Sequence, residues 1–370
     1  MIIQALQFRL ELWLCRTSSL PGRLRDWIHI RLFRRHRRHR IIKNVEALGS
    51  KVAIVGTWPR LPLVPSIQRL IDALRSEGWS VVLVANESPD LDRVIDRWAA
   101  SADVVVRRAN VGRDFGAYQC GFRLVEERAE FPKLERLAFF NDSVLYPPKI
   151  GAILPELLRK ESPIASFFVN HQGRTHLQSF AVCLNGDVSQ SSELADFWRK
   201  YFPSNLRRHA IFRGEFELSR RVLERWPDFD AVVTYERLVD ANPDIWSRVT
   251  TSDLVSLQRS VEGGVRLDLD TLRGSGIDDT YVDGLAREAF AGRNVSHALG
   301  ALSTRLLGVP LKLDLVKQGY CRPEDFSEIL RDLQLDDQEL SDVMRMTIAH
   351  GTIASLRGLR RQMVQYGYAD

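Results

Sequence analysis

The chain has 370 residues, 45% of them hydrophobic and 27% charged, so it can bury a large core and is long enough for two or three folded units rather than a disordered tract. Its net charge of +5 is uneven: residues 1–43 hold 11 Lys and Arg against 2 Asp and Glu, a net of +9, which leaves −4 for residues 44–370. A globular nucleic-acid reader would carry its basic face on the folded body, so no nucleic-acid partner is expected.

The basic N-terminal stretch, residues 1–43, mixes Arg and His with Trp13, Leu14, Leu24, Trp27, Ile28, Ile30, Leu32 and Phe33. These apolar residues can cover one side of two short helices broken near Pro21 and Gly22. Lys and Arg beside Trp, Phe and Leu is the composition of an interfacial segment drawn to anionic lipid. A basic helical tail packed on the protein remains the plainer alternative. No run of about 18 apolar residues predicts a transmembrane helix. The first 16 residues lack a basic start, and Arg9 and Glu11 interrupt them, so no cleavable signal peptide is expected.

From Lys51 the pattern changes. "KVAIVGTW", "WSVVLVANE", "DVVVRRAN" and "RLAFFNDS" read as buried strands, separated by the helical spacings of "SIQRLIDALRSEG", "DLDRVIDRWAASA" and "GAYQCGFRLVEERAEF". Strands and helices alternating at this length predict an α/β fold, a mostly parallel Rossmann-like sheet with helices on both faces. Residues 163–235 add a strand, a loop and a second strand, then the helices "SSELADFWRKYF" and "FELSRRVLERW", with "DAVVTYERL" as an edge strand. "GGVRLDLDTLRGSGIDDTYVDG" reads as loop, and residues 323–366 as helices. The expected organisation is a basic segment over 1–45, an α/β domain over 46–250 and a largely helical extension over 251–370. Cys15, Cys120, Cys183 and Cys321 form no CxxC pair, which fits buried thiols in a reducing compartment better than a disulfide framework or a zinc site.

Ligands of open α/β sheets sit beyond the carboxyl ends of the strands, and three polar clusters fall there. "GTWPRLPLVPS" follows the first strand with Gly56, Thr57 and prolines; the chain has neither GxGxxG nor GxxxxGK[ST] in this loop, which disfavours a dinucleotide dehydrogenase or a P-loop nucleotidase. "RRANVGRDFGAYQCG" places Asn110, Gly112, Arg113 and Asp114 where a strand hands over to a helix. Arg113 can neutralise a phosphate and Asp114 can accept hydrogen bonds from a base or ribose; equally, Asp114 can simply cap the helix. "FFNDSVLYP" ends a strand in Asn141, Asp142 and Ser143. These are hard oxygen ligands suited to Mg²⁺ or Mn²⁺, or the residues of an Asx turn.

Together, "NVGRDFGAY", "FFNDSVLYP" and "HLQSF" resemble the rhamnan synthesis protein F family, GT-A-like glycosyltransferases of surface polysaccharide synthesis. The likeness continues through "GEFELS" to "RNVSHALGALSTRLLGVPLKLDLV" and covers roughly residues 50–320. It implies a GT-A-like fold and a divalent cation, Mg²⁺ or Mn²⁺, at Asp142. It also implies a nucleoside-diphosphate sugar, plausibly carrying rhamnose, bound near Thr57, Asn110, Gly112, Arg113, Asp114, Asn141 and Ser143. His176, Gln178 and Ser179 would line the floor, and Glu215 would be the base for an acceptor hydroxyl in an inverting transfer. The chain departs from the family at Gly214, where an aromatic residue is expected, and at Asn294-Val295, where Asn-Pro is usual. The acceptor would be a growing or lipid-linked glycan. The protein would then be cytoplasmic, peripheral at the inner face of the membrane through residues 1–43. The alternative is a non-catalytic scaffold of a polysaccharide-assembly complex, because "FFNDSVLYP" lacks a second Asp. His171, Lys312, Trp58 and Trp198 are further candidate contacts, while His209 and His297 have no partners at ligand spacing.

Overall fold

The computed structural model describes residues 39–171, 174–241 and 279–349, and ten isolated positions (24, 27, 28, 245, 249, 250, 253, 254, 256 and 257). Most of the N-terminal basic segment, and the helical reading of 350–366, lie outside the described residues. Leu24, Trp27 and Ile28 are helical and exposed. The body is α/β, built on an eight-stranded, mostly parallel sheet, with a helical C-terminal region.

In chain order, β1 (His39–Asn44) and β2 (Lys51–Thr57) lead to α1 (Val64–Ser76), and β3 (Ser80–Asn86) to α2 (Leu91–Ser101). β4 (Val104–Arg108) leads to α3 (Arg113–Glu126), and β5 (Arg136–Asn141) to a short β6 (Val144–Leu145) and α4 (Ile150–Leu158). There follow β7 (Ile164–Ser166), the small hairpin β8 (Val169–Asn170) and β9 (His176–Leu177), β10 (Ala181–Asn185), α5 (Ser192–Lys200), α6 (Phe216–Arg225), β11 (Phe229–Ala231) and α7 (Tyr235–Ala241). The C-terminal region holds α8 (Asp279–Gly292), α9 (Val295–Ala298), α10 (Gly300–Leu307), β12 (Leu311–Lys312), α11 (Leu315–Gln318), α12 (Pro323–Asp332) and α13 (Asp337–Ala349).

The sheet runs β1-β4-β3-β2-β5-β10-β7-β11. β4, β3, β2 and β5 are parallel neighbours, whereas β1 is antiparallel to β4 and β10 is antiparallel to both β5 and β7. Successive strand residues face opposite sides, and the central strands are apolar on both. Ala53, Val55, Leu83 and Phe140 pack into the α1, α2 and α4 face, while Val52, Ile54, Val84 and Phe139 meet α3, α5 and α6. The close seat of α3 depends on Gly121, where a Cβ would stand 2.5 Å from Ile54 Cγ2.

Three boundaries differ from the sequence reading. The end of the basic segment, His39–Asn44, is an edge strand rather than part of a helix, since its backbone finds the free edge of β4. "DAVVTYERL" divides between edge strand β11 and helix α7. "DDTYVDG", read as loop, enters α8.

The chain order reverses between β2 and β5, which are adjacent and parallel, with Gly56 opposite Asn141. This is the topological switch point, where such sheets open a crevice at their carboxyl ends. The C-terminal region closes one side of it: β12 pairs with β6, setting Lys312 opposite Val144.

Candidate functional site

A cleft of about 640 Å³ opens at the switch point. Its lining draws on the start of α3 (Arg113 and Asp114), the β5 tip (Ser143), the β9–β10 connection (His176, Gln178 and Ser179), the helix around Glu215, and the C-terminal region.

At the β5 tip the Asx-turn reading holds, on Asn141. Asn141 makes the turn: its Oδ1 accepts from Ser143 N at 3.0 Å and Ser143 Oγ at 2.7 Å. That leaves Asp142 to point back across the switch, where Oδ2 accepts from Thr57 Oγ1 at 2.9 Å and Trp58 N at 2.8 Å. Arg60 donates to the Asp142 carbonyl at 3.1 Å. Burial pushes the Asp142 carboxyl above its usual range, opposed by Arg60 and by the Trp58 and Thr57 hydrogen bonds.

Asp114 does not cap its helix. Gly112 holds that position with φ 88°, where a Cβ would stand 2.4 Å from Pro203 Cβ. Arg113 follows at φ 51°, a left-handed conformation that non-glycine residues adopt mainly where surrounding contacts enforce it. Those contacts come from Asn205, whose Oδ1 accepts from Gly112 N at 2.6 Å, whose carbonyl accepts from Arg113 Nε at 2.7 Å, and whose Nδ2 donates to the Asn110 carbonyl at 3.2 Å. Asp114 is thereby turned inward, and its Oδ2 accepts from Asn141 Nδ2 at 3.1 Å.

Burial, reinforced by the Asp142 charge, pushes the Asp114 carboxyl up to about 6. "FFNDSVLYP" lacks a second carboxylate, and the fold supplies one from α3. One oxygen on each of Asp114 and Asp142 accepts no hydrogen bond from the described residues. Carboxylate oxygens of this kind are the hard ligands a divalent cation takes, with water or phosphate completing its shell. Among the described residues no group of three or more His, Cys, Asp or Glu forms a ready-made cation cage.

The raised Asp114 carboxyl has a stability consequence. A carboxyl whose folded value lies above its unfolded one stabilises fully below pH about 4, and that contribution is lost as pH rises through about 6. The full shift corresponds to about 3 kcal/mol, and partial exposure at the cleft lowers this to about 1–2 kcal/mol. In metal-free buffer, Asp114→Asn is expected to remove that part of the stability loss between pH 4 and 7 in urea unfolding. An unchanged pH slope would contradict the buried-pair reading.

Glu215 closes a π-helical turn, Ala210–Glu215, just before α6. Its Oε1 accepts from Ser179 N at 2.9 Å, which aims the carboxylate into the cleft. Gly214 lies against Phe115, where a Cβ would stand 2.8 Å from that ring, so no larger side chain fits at this position. His176 is buried, with Nδ1 against the Arg174 carbonyl at 2.8 Å and its ring edge on Phe216. Gln178 Oε1 accepts from Ser296 Oγ at 3.0 Å, joining the floor to α9.

Arg113, Asp114, Ser143, His176, Gln178, Ser179 and Glu215 thus share one cleft. Thr57, Asn110, Gly112, Asn141 and Asp142 stand behind it, with Thr57 and Asn141 hydrogen-bonded to the two acids. Of the further candidates, Lys312 lines the cleft, while Trp198 belongs to the aromatic core and His171 bonds Thr175. Trp58 is 38% exposed, with Nε1 donating to the Glu87 carbonyl at 3.1 Å.

Sequence reasoning missed Arg60, Arg207, Lys317 and the pair His297–Asp314, all of which line the cleft. His297 Nε2 lies 3.1 Å from Asp314 Oδ1, a partner 17 residues away. Only the alternation of Lys312 and Asp314 in "VPLKLDL" hinted at an inward-facing charged edge.

No family model matches the chain. Among curated proteins, it is 28% identical over 185 residues to the uncharacterized protein y4gN of Sinorhizobium fredii (strain NBRC 101917 / NGR234), covering 49% of this chain and 48% of that protein. It is 35% identical over 74 residues to virulence protein VirA of Vibrio anguillarum, covering 20% of this chain and 24% of that one. The chain therefore spans about half and about a quarter of these relatives. Among solved structures, it is similar to the glycosyltransferase GlyE of Streptococcus pneumoniae TIGR4 at TM-score 0.28 and 12% identity, over 54% of this chain and 48% of that one. It is also similar to the mannosyltransferase PcManGT of Pyrobaculum calidifontis, solved with GDP-Man and Mn²⁺, at TM-score 0.34 and 12% identity, over 92% and 98%. Superpositions this loose carry no weight for the reaction of this chain. Among the described residues no helix is long and apolar enough to cross a membrane.

Proposed function

We propose that this protein is a glycosyltransferase. It would move a sugar, plausibly rhamnose, from a nucleoside-diphosphate donor onto a growing surface or lipid-linked glycan. The observation that carries this reading is the arrangement at the switch point: Glu215, held by Ser179 N, shares one cleft with Asp114, and behind that cleft wall Asp142 is locked to Thr57 and Trp58. The motif resemblance of residues 110–118 and 139–147 points the same way.

In this mechanism Glu215 accepts the proton of an acceptor hydroxyl as that oxygen attacks the anomeric carbon. The bond from that carbon to the diphosphate breaks with its electron pair on the phosphate oxygen, inverting the centre in a single displacement. Asn141 and Thr57 fix the two acids, and Ser179 N fixes the base. A Mg²⁺ or Mn²⁺ held by Asp142 and Asp114 would supply charge neutralisation at the leaving diphosphate. Residues 1–43 would hold the enzyme at the inner membrane face, next to a lipid-linked acceptor.

The test is donor turnover titrated with Mn²⁺ for the wild type and Asp142→Ala. Metal-dependent turnover lost in the variant supports the reading. Turnover that is unchanged, with the same metal dependence, contradicts the role of Asp142. A non-catalytic scaffold would turn over no donor in either form.

A further inference from the structure

The cleft is charged out of proportion to its surroundings. Six of its lining residues are Lys or Arg and three are Asp or Glu, an excess of three positive charges, in a body whose residues 44–370 sum to −4. A positive cleft with low-dielectric walls concentrates field on an anion.

The cations form a continuous edge rather than scattered points. Arg113 is held by Asn205, two residues before Arg207. Arg207 Nη2 donates to Asp314 Oδ2 at 3.0 Å, and Asp314 Oδ1 meets His297. Burial works to raise the Asp314 carboxyl, but His297, Lys312 and Arg207 hold it well below the usual carboxylate range. One carboxylate thus holds Arg207 and His297 in place, with Lys312 close enough to act on its charge. Lys312 continues the edge to the β5 tip, where Leu313 N reaches the Ser143 carbonyl at 3.4 Å, and its ammonium lies 4.6 Å from the Phe180 ring centre. Neither Lys312 nor Lys317 makes a salt bridge among the described residues, so both ammonium groups remain available to a ligand.

We propose that this edge, Arg113, Arg207, Lys312 and Lys317, binds the diphosphate of the donor directly, so that nucleotide binding does not require a metal. The proposal rests on the glycosyl-transfer reading and deepens it: the C-terminal region supplies the phosphate subsite, and side-chain cations share the leaving-group charge that a metal alone would otherwise carry. Charge-assisted hydrogen bonds of Arg and Lys to phosphate are among the stronger polar contacts.

The test is calorimetric titration of the full-length protein with UDP, GDP, dTDP and inorganic pyrophosphate, each in EDTA and in Mn²⁺. At least one nucleoside diphosphate is expected to bind in EDTA within about tenfold of its Mn²⁺ affinity. Lys312→Ala with Lys317→Ala should weaken that EDTA binding tenfold or more, while Lys312→Arg with Lys317→Arg retains most of it. The thermal transition should stay in place in all forms, separating lost contacts from misfolding. Binding that appears only with Mn²⁺, or that the double alanine form leaves unchanged, would overturn the subsite while leaving glycosyl transfer intact. Absence of any nucleotide binding in both buffers would overturn both readings.

Discussion

Glu215→Gln is expected to lower glycosyl transfer by about three orders of magnitude while leaving donor binding nearly unchanged. A positioned general base typically contributes 10²–10⁴-fold, and the substitution keeps the shape of the side chain. Glutamine can also still accept from Ser179 N through its amide oxygen, so the 2.9 Å contact that orients the group survives. What is lost is only the capacity to take a proton. Calorimetry with donor and a turnover assay on the same preparation check this. A variant that transfers normally would remove Glu215 as the base, and one that loses donor affinity as well would move its role from proton transfer to binding.

The second large effect concerns stability and the closure of the cleft. Arg69 on α1 donates from Nη1 and Nη2 to the two oxygens of Glu339 at 2.8 and 2.7 Å, and from Nε and Nη2 to the Tyr146 carbonyl at 3.1 and 2.9 Å. This fork ties α13 to the sheet just beyond β6, and Met346 and Thr347 of the same helix line the cleft. Glu339 is buried, with a side chain 3% exposed. Removing one member of such a pair leaves the other desolvated and uncompensated. Glu339→Ala should therefore cost about 3 kcal/mol, with Glu339→Gln milder, and both should weaken donor binding as α13 loosens. Scanning calorimetry and limited proteolysis around α13 measure this. An unchanged transition and an unchanged cleavage pattern would mean that α13 is held by its apolar contacts alone.

The layout of the sheet was largely legible in the sequence because the four parallel strands are short, continuously apolar runs separated by amphipathic helices. Runs such as "KVAIVGTW" and "WSVVLVANE" leave little choice of structure. His39–Asn44 was not legible. Its Arg, Lys and His suit a solvated helix equally well, and only the open edge of β4 makes it a strand.

The site divides in the same way. Asp142 stood out because three oxygen-bearing residues at the end of an apolar strand are unusual, yet its partner in charge, Asp114, is 28 residues earlier on another element. Their proximity follows from Asn205 bending the Gly112–Arg113 turn, a contact across more than 90 residues. His297 and Asp314 are likewise brought together only by the fold, through α10, which adjoins α9 and packs against β12. Short motifs report local chemistry, whereas the charge balance of a cleft is a property of the closed fold.

The central claim is that the switch-point cleft binds a nucleotide sugar and transfers its sugar. Mass spectrometry of wild type and Glu215→Gln incubated with a panel of nucleotide sugars and lipid-linked or oligosaccharide acceptors tests it most directly. One donor should be consumed by the wild type, with release of its nucleoside diphosphate and an acceptor heavier by a single glycosyl unit, and the variant should leave that donor intact. A wild-type protein that binds no donor and adds no sugar across the panel would contradict it.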